Sequence, residues 1–228
     1  MDKELWLIWK NPKSNSRRRY KVGKLSATSD GYIFEYSDDV DEAVKNGFQL
    51  YPGFDNRYEK YESQTLFKNI KSRIPDRERV DYLDIINTFN LSPNSSDIDI
   101  LAATKGRLPT DNFEFVPAIT NTDRLEFNIA GTRYREKDLE NCAVDLVANA
   151  KLELVHNKNN PFDTNAIEIH FKKITKDYFI GYVPRYYAKY LADHLDNGAK
   201  YSALVKKVIE EPQNNDDKYS VEVKLVIE

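Results

Sequence analysis

Cysteine is nearly absent. The 228 residues hold one, Cys142, so no internal disulfide can form and no cysteine cluster is available to bind zinc. Histidine is almost as scarce: His156, His170 and His194 lie 14 and 24 residues apart, which matches no metal-ligand spacing. Long apolar runs are missing as well. The longest, Leu5-Trp6-Leu7-Ile8-Trp9 and Tyr178-Phe179-Ile180-Gly181-Tyr182-Val183, fall far short of the roughly 20 residues that span a bilayer, and the N-terminus carries no secretory h-region. A cytoplasmic chain with no membrane partner is expected. Charge of one sign is not in excess either: 34 Lys and Arg against 37 Asp and Glu leave a net charge of -3. Coating nucleic acid by global attraction needs a broad surplus of cations, so only a small local site remains open to such a ligand.

Catalytic signatures are also lacking. There is no Gly-x-x-x-x-Gly-Lys phosphate loop, no Gly-x-Ser-x-Gly elbow, no His-Glu-x-x-His, and no protein-kinase catalytic loop or Asp-Phe-Gly. Carboxylates are plentiful, but no pair is marked as an acid and base. The expectation is a protein with no enzymatic activity, no cofactor and no metal.

What is present is a composition of 40% hydrophobic and 12% aromatic residues, with 15 Tyr, which fits a folded globular chain. The length suits one large domain or two of about 100 residues each. In the first half, Glu4 to Lys10, Tyr20 to Leu25 and the alternating Tyr32-Ile33-Phe34-Glu35-Tyr36 read as strands, with Asp30-Gly31 as a turn between the last two. The period then changes to helical. Ser63 is placed to cap a helix carrying Leu66, Phe67 and Ile70 that ends before Pro75. Asp76 is placed to cap a second, with Val80, Leu83, Ile86 and the pair Ile85 and Phe89 on its apolar face. Ser96-Asp97-Ile98-Asp99 resembles a capping box for a third, ended at Gly106. Leu108 to Asp123 is polar apart from Phe113, Phe115 and Val116, and a domain boundary is expected near residue 120, giving domains 1–118 and 123–228.

The second half reads as mostly β. Leu125 to Tyr134, Lys151 to His156, Ala166 to Lys172, Tyr178 to Val183, Tyr201 to Ile209 and Tyr219 to Ile227 are strand candidates; Val221, Val223, Leu225 and Ile227 alternate on one face. One helix is expected after Pro184, with Ala188, Leu191, Ala192 and Leu195 buried and Asn197-Gly198 at its end. The fold class expected is α+β: a small antiparallel sheet with short helices, followed by an OB-like β-barrel with one helix.

Chemistry concentrates in two segments of the second half. Ala130-Gly131-Thr132-Arg133-Tyr134 closes a strand. Asn159-Asn160-Pro161-Phe162-Asp163-Thr164-Asn165-Ala166-Ile167 is followed by Ile180-Gly181-Tyr182-Val183-Pro184-Arg185. The residue types alone permit nucleic-acid binding. A carboxylate such as Asp163 accepts a hydrogen bond from a hydroxyl but repels a phosphate, Tyr134, Phe162 and Tyr182 offer rings for bases, and Arg133 and Arg185 are permanently charged forks for phosphates. They also permit a structural reading, in which Asn159, Asn160, Asp163 and Asn165 only hydrogen-bond a tight turn and Gly131 relieves crowding. The two roles are compatible, since side chains locked by backbone bonds pre-shape a pocket.

In order and spacing these motifs resemble the HIRAN domain, over Asp123 to Glu228. That resemblance implies a modified OB barrel whose eukaryotic members, at the front of helicase-like DNA repair proteins, grip the free 3'-hydroxyl end of single-stranded DNA. Carried over by motif, Arg133 and Tyr134 meet the terminal nucleotides, Asn160, Phe162 and Asp163 form the end pocket, and Tyr182 and Arg185 line its far side. Phe162 departs from the tyrosine of the family, which keeps the ring and loses a hydroxyl. In the first half, Val22-Gly23-Lys24-Leu25-Ser26, Tyr32 to Tyr36, Ile74-Pro75-Asp76-Arg77 and Ile98-Asp99-Ile100-Leu101-Ala102-Ala103 resemble the N-terminal subdomain of HipA-type toxin kinases, with the family's Gly-Arg-Asp ending replaced by Lys105-Gly106-Arg107-Leu108. This resemblance implies, as an alternative function, an antitoxin-like protein of a bacterial toxin–antitoxin system that binds a HipA-like Ser/Thr kinase in trans. Arg17-Arg18-Arg19, with Lys10, Lys13, Lys21 and Lys24 nearby, reads as a solvated turn beside Ser14-Asn15-Ser16, with nucleic-acid contact as the other possibility. His156 is read as a strand-end surface residue in preference to a catalytic base, because the sequence identifies no partner acid for it.

Overall fold

A computed structural model of the chain describes residues 3–13, 18–119, 124–210 and 217–227. It divides into two compact units, Met1–Ala118 and Ile119–Glu228. Residues 120–123, where the boundary is expected, lie outside the described ones. Among the described residues no helix is long and apolar enough to cross a membrane.

In the first unit, β1 (Lys3–Lys10), β2 (Arg19–Thr28) and β3 (Gly31–Tyr36) make an antiparallel meander. Thr28 pairs with Gly31, so Ser29-Asp30 is a two-residue turn. Gly31 holds φ 136, and a Cβ there would stand 2.3 Å from the Ser63 carbonyl oxygen, so a side chain is excluded. After α1 (Val40–Lys45), the short β4 (Tyr61–Ser63) adds to β3. Three helices follow, α2 (Lys68–Lys71), α3 (Tyr82–Thr88) and α4 (Asp97–Thr104), and β5 (Phe113–Pro117) returns to pair with β1. The sheet order is β4-β3-β2-β1-β5. Its inner face supplies Leu5, Leu7, Val22, Leu25 and Phe34 to a core shared with Phe54, Ile70 and Leu101; Phe34 and Phe54 stack with centroids 4.0 Å apart. Full burial of each such side chain stabilises the unit by about 1.5–3 kcal/mol. Arg73 is buried in this core, donating from Nε to the Tyr51 hydroxyl at 2.5 Å and from Nη1 to the Gly106 carbonyl at 2.8 Å, and pairing with Asp111.

Several local expectations are corrected here. Ser63 ends β4 instead of capping a helix, and Leu66 and Phe67 precede α2, because Leu66 is drawn into the core from an extended segment. Asp76 accepts from the Glu78 backbone N–H in a turn, which delays α3 to Tyr82. That helix buries Tyr82 and Ile86 against Ile100, leaving Val80, Leu83 and Phe89 exposed. Ser96 does cap α4, accepting from the Asp99 N–H at 3.3 Å. The stretch Leu108 to Asp123 is not simply polar linker: Phe113, Phe115 and Val116 belong to β5, a pairing that only the distant β1 reveals.

The second unit runs β6 (Arg124–Asn128), a 3-10 turn (Thr132–Arg135), α5 (Glu136–Cys142), β7 (Lys151–His156), β8 (Ile167–Lys172), β9 (Asp177–Tyr182), α6 (Arg185–Asp196), β10 (Tyr201–Glu210) and β11 (Tyr219–Ile227). The sheet order β6-β11-β10-β7-β8-β9 curls until its ends meet. Ala130, just past β6, and Tyr182, at the end of β9, exchange both backbone hydrogen bonds at 2.8 Å. Along β11, Tyr219, Val221, Val223, Leu225 and Ile227 all point inward. The buried stripe of α6 is Tyr187, Ala188, Leu191 and Ala192, with the Tyr187 ring 6.1 Å from that of Phe127, while Leu195 is only half-buried. The sheet is thus an OB-like half-barrel, but the unit carries two helices, α5 and α6, in place of a single one. Leu125 to Tyr134 is not one strand: Gly131, at φ 78, turns the chain into the 3-10 segment, a left-handed conformation that glycine adopts without strain.

Candidate nucleic-acid interface

The loop between β7 and β8 is built by its own side chains. The Asn157 Oδ1 accepts from the Asn159 N–H at 3.1 Å. Asn160 Oδ1 accepts from the N–H groups of Phe162 at 3.0 Å and Asp163 at 3.2 Å, and Asp163 Oδ1 accepts from that of Asn165 at 3.0 Å. Successive Asx turns of this kind fix the loop without a regular element. The Asn157 N–H donates to the Ala166 carbonyl at 2.8 Å, closing its base. The structural reading of Asn160 and Asp163 is therefore realised, Asn157 joins them, and Asn159 and Asn165 contribute backbone donors.

Each locked side chain keeps one group that reaches away from the turn. The Asn160 Nδ2 approaches the Tyr182 hydroxyl at 3.5 Å. The second carboxylate oxygen of Asp163 faces Arg185 Nε at 3.4 Å, with the Asp163 side chain 17% and Arg185 38% exposed. Arg185 opens α6 directly after Pro184, so the start of that helix sets its position. Phe162, at the loop tip, is 86% exposed. From the other side, Gly131 brings the 3-10 turn close: a Cβ on it would lie 3.7 Å from the Tyr182 ring and 4.0 Å from that of Tyr134. Tyr134 is exposed, and the Arg133 guanidinium carbon sits 4.5 Å over its ring. The structure therefore brings Arg133, Tyr134, Asn160, Asp163, Tyr182 and Arg185 to one end of the half-barrel, with Phe162 at its margin. Arg133 and Tyr134 stand on a 3-10 turn where a strand end was expected.

His156 corrects a further expectation. It does end β7, but its Nδ1 meets Asp196 Oδ1 at 3.0 Å, 40 residues on, and its Nε2 meets the Thr164 carbonyl at 2.8 Å. The Asp196 carboxylate raises its pKa, against a lowering by partial burial, and the Thr164 carbonyl adds to the rise. Asp196 is in turn held below the usual carboxylate range by Lys158 and His156. Both acceptors are satisfied only by a ring with two N–H groups, so protonated His156 ties the loop to the C-terminal end of α6. Sequence reading also missed Arg135, Phe179 and His170. The cross-strand register pairs His170 with Phe179, their rings stacked at 5.2 Å, and Phe179 meets Tyr182 edge-on at 5.0 Å. Simple alternation would set Phe179 and Tyr182 on opposite faces of β9; the bulge between Ile169 and His170 brings Glu168, His170, Phe179 and Tyr182 to one face, away from the core.

Four cations of the basic run in the first unit are paired. Arg18 contacts Glu42 at 2.5 Å, Arg19 meets buried Glu114 at 3.2 Å, Lys21 meets Asp39 at 3.5 Å, and Lys24 meets Glu35 at 2.6 Å. Burial pushes the Glu114 carboxyl up, but Arg107 and Arg19 hold it below its ordinary value. Ser14 to Arg17 lie outside the described residues.

The second unit is thus an OB-like half-barrel that carries a rigid polar loop, exposed rings and permanent cations at one end. The family model of the HIRAN domain matches residues 123–228, somewhat under half of the chain, and supports a HIRAN domain there. Among solved structures, the chain is similar to the HIRAN domain of human HLTF, at 21% identity over 46% of this chain and 74% of that one with a TM-score of 0.32. It is also similar to a protein from Lactobacillus plantarum, at 20% identity over 45% of this chain and 89% of that one with a TM-score of 0.36. No curated protein matches the chain.

Proposed function

We propose that this chain is a nucleic-acid-binding protein without a reaction of its own, and that its HIRAN domain holds the free 3'-hydroxyl end of single-stranded DNA. The observation that carries this reading is the convergence of Tyr134, Asn160, Asp163, Tyr182 and Arg185, from separate segments, onto one end of a domain that matches the HIRAN model. In this reading Tyr134, Tyr182 and exposed Phe162 take bases by stacking, each worth about 1–3 kcal/mol and indifferent to sequence. Arg133 and Arg185 take phosphates. Arg185 uses Nε toward Asp163, which leaves its terminal amino groups for the strand. Asp163 reads the end: its Oδ1 is held by the turn, while Oδ2 accepts from a terminal hydroxyl and opposes a terminal phosphate. For the first unit, regulation of a HipA-like kinase rests on the sequence resemblance alone.

End binding and strand coating are separated by topology of the ligand. A linear single strand and the same sequence closed into a circle are titrated with the full chain by fluorescence anisotropy. The reading expects the linear strand to bind at least about tenfold more tightly, about 1.4 kcal/mol. Equal affinity for the circle would contradict it.

A further inference from the structure

Beside the end pocket stands a second arrangement of rings and charge. The Arg135 guanidinium carbon lies 3.9 Å over the Phe179 ring. Its Nε is buried and has no hydrogen-bond partner among the described residues, and none of them forms an ion pair with it. Other cations of the second unit differ: Lys218 is paired with Glu140, Lys173 with Asp145 and Lys158 with Asp196. A half-buried cation left unneutralised is costly, and a flat one held on a ring keeps its edge donors and its outer face for a ligand. Phe179 is itself fixed. His170 stacks beside it on the neighbouring strand and is held by Glu168 at 3.2 Å and Asp177 at 3.0 Å, while Tyr182 closes the opposite flank edge-on. The platform is therefore rigid and continuous with the Tyr182 ring of the end pocket.

We infer that Arg135, Phe179 and His170 form a second nucleotide subsite, which takes the nucleotide preceding the terminal one. The base lies flat against the Arg135 guanidinium, and the phosphodiester between the two nucleotides meets its terminal amino groups. This rests on the proposed DNA-end function and extends it. Phe179 and His170 act as positioning residues: they hold the cation flat, and the strand touches Arg135.

The test uses the full chain and a mixed-sequence single-stranded deoxyoligonucleotide, with either a 3'-hydroxyl or a 3'-phosphate, titrated across a range of salt. Arg135→Gln is expected to weaken binding of both about tenfold and to make the logarithmic salt dependence shallower by about 0.7, the share of one single-strand phosphate. The ratio between the two end chemistries should not change. Arg135→Lys, which keeps the charge and loses the plane, should retain the wild-type salt slope and lose part of the affinity. If Arg135→Gln alters stability, Arg135→Lys still discriminates through affinity: it should melt as wild type does yet bind more weakly at an unchanged salt slope, and wild-type affinity in Arg135→Lys would overturn the subsite. An unchanged slope and affinity in Arg135→Gln would overturn the subsite while leaving the end-binding function intact. A collapsed end-chemistry ratio would place Arg135 in the end pocket and overturn the subsite as well. A wild-type chain that binds neither oligonucleotide would overturn the function and the subsite together.

Discussion

Replacing Gly181 with alanine should damage the second unit more than any other loss or gain of a single methyl group in it. Gly181 sits in β9 at φ 142, a conformation that L residues rarely adopt, opposite Ile169 of β8. A Cβ there would lie 2.4 Å from Ile129 Cγ2 and 2.7 Å from the Ala130 carbonyl oxygen, where carbon atoms ordinarily rest about 3.5–4.0 Å apart. The atoms it meets adjoin the Ala130–Tyr182 bridge that closes the curled sheet, so the backbone has nowhere to retreat without opening the closure. Strain from the disfavoured φ costs about 1–3 kcal/mol, and overpacking costs about 1–3 kcal/mol more. The sum, about 2–6 kcal/mol, is a large part of the 5–15 kcal/mol typical of a domain. The assay is a urea titration of Gly181→Ala followed by far-ultraviolet circular dichroism, with fluorescence of Trp6 and Trp9, the two tryptophans, as a separate reporter of the first unit. With a slope of about 1–3 kcal/mol per molar urea, the dichroism midpoint of the second unit should fall by at least about 0.7 M. A change below about 0.5 kcal/mol would refute the tight closure at Ala130 and Tyr182.

Two further predictions concern the loop. The raised pKa of His156 means that its bonds to Asp196 and Thr164 stabilise the protein fully below the ordinary histidine value and are lost as pH rises through the higher folded value. Thermal melts of wild type and His156→Gln should therefore differ most below the ordinary histidine value and converge as pH rises above the raised folded one; a difference that grows with pH would reverse the assignment. Phe162→Ala, at a position 86% exposed, should change stability by less than about 0.5 kcal/mol yet weaken single-strand binding by about 1–3 kcal/mol. Loss of stability without loss of binding would remove Phe162 from the interface.

Much of the fold is legible in the sequence where local pattern and long-range pairing agree. The alternation of Tyr219 to Ile227 marks β11 because one face of it is buried along its whole length, and Ser96 with Asp99 marks the start of α4 because the cap is local. Legibility fails where distant residues decide. Phe113 to Pro117 becomes a strand only because β1 lies alongside, and Asp76 starts a turn in place of a helix because its carboxylate binds the nearby N–H of Glu78. The positions of Arg133, Tyr134, Asn160, Asp163, Tyr182 and Arg185 are readable as motifs, but their convergence depends on the contact between Ala130 and Tyr182 across 52 residues. Arg135, Phe179 and His170 carry no motif. Their association follows from cross-strand register and from the turn at Gly131, and neither is written in a short stretch of sequence. His156 finds Asp196 only because α6 folds back over the end of β7.

The central claim is that Asp163 distinguishes a hydroxyl end from a phosphate end, and the ratio of two dissociation constants tests it. The full chain is titrated with one single-stranded oligonucleotide ending in a 3'-hydroxyl and with the same oligonucleotide ending in a 3'-phosphate, for wild type and for Asp163→Asn, which keeps the turn acceptor and removes the charge. The account predicts that wild type favours the hydroxyl end by about tenfold or more, on the order of 1.4 kcal/mol, and that Asp163→Asn brings the ratio close to one while melting at a similar temperature. Equal binding of the two ends by wild type, or a preference that survives in Asp163→Asn, would contradict it.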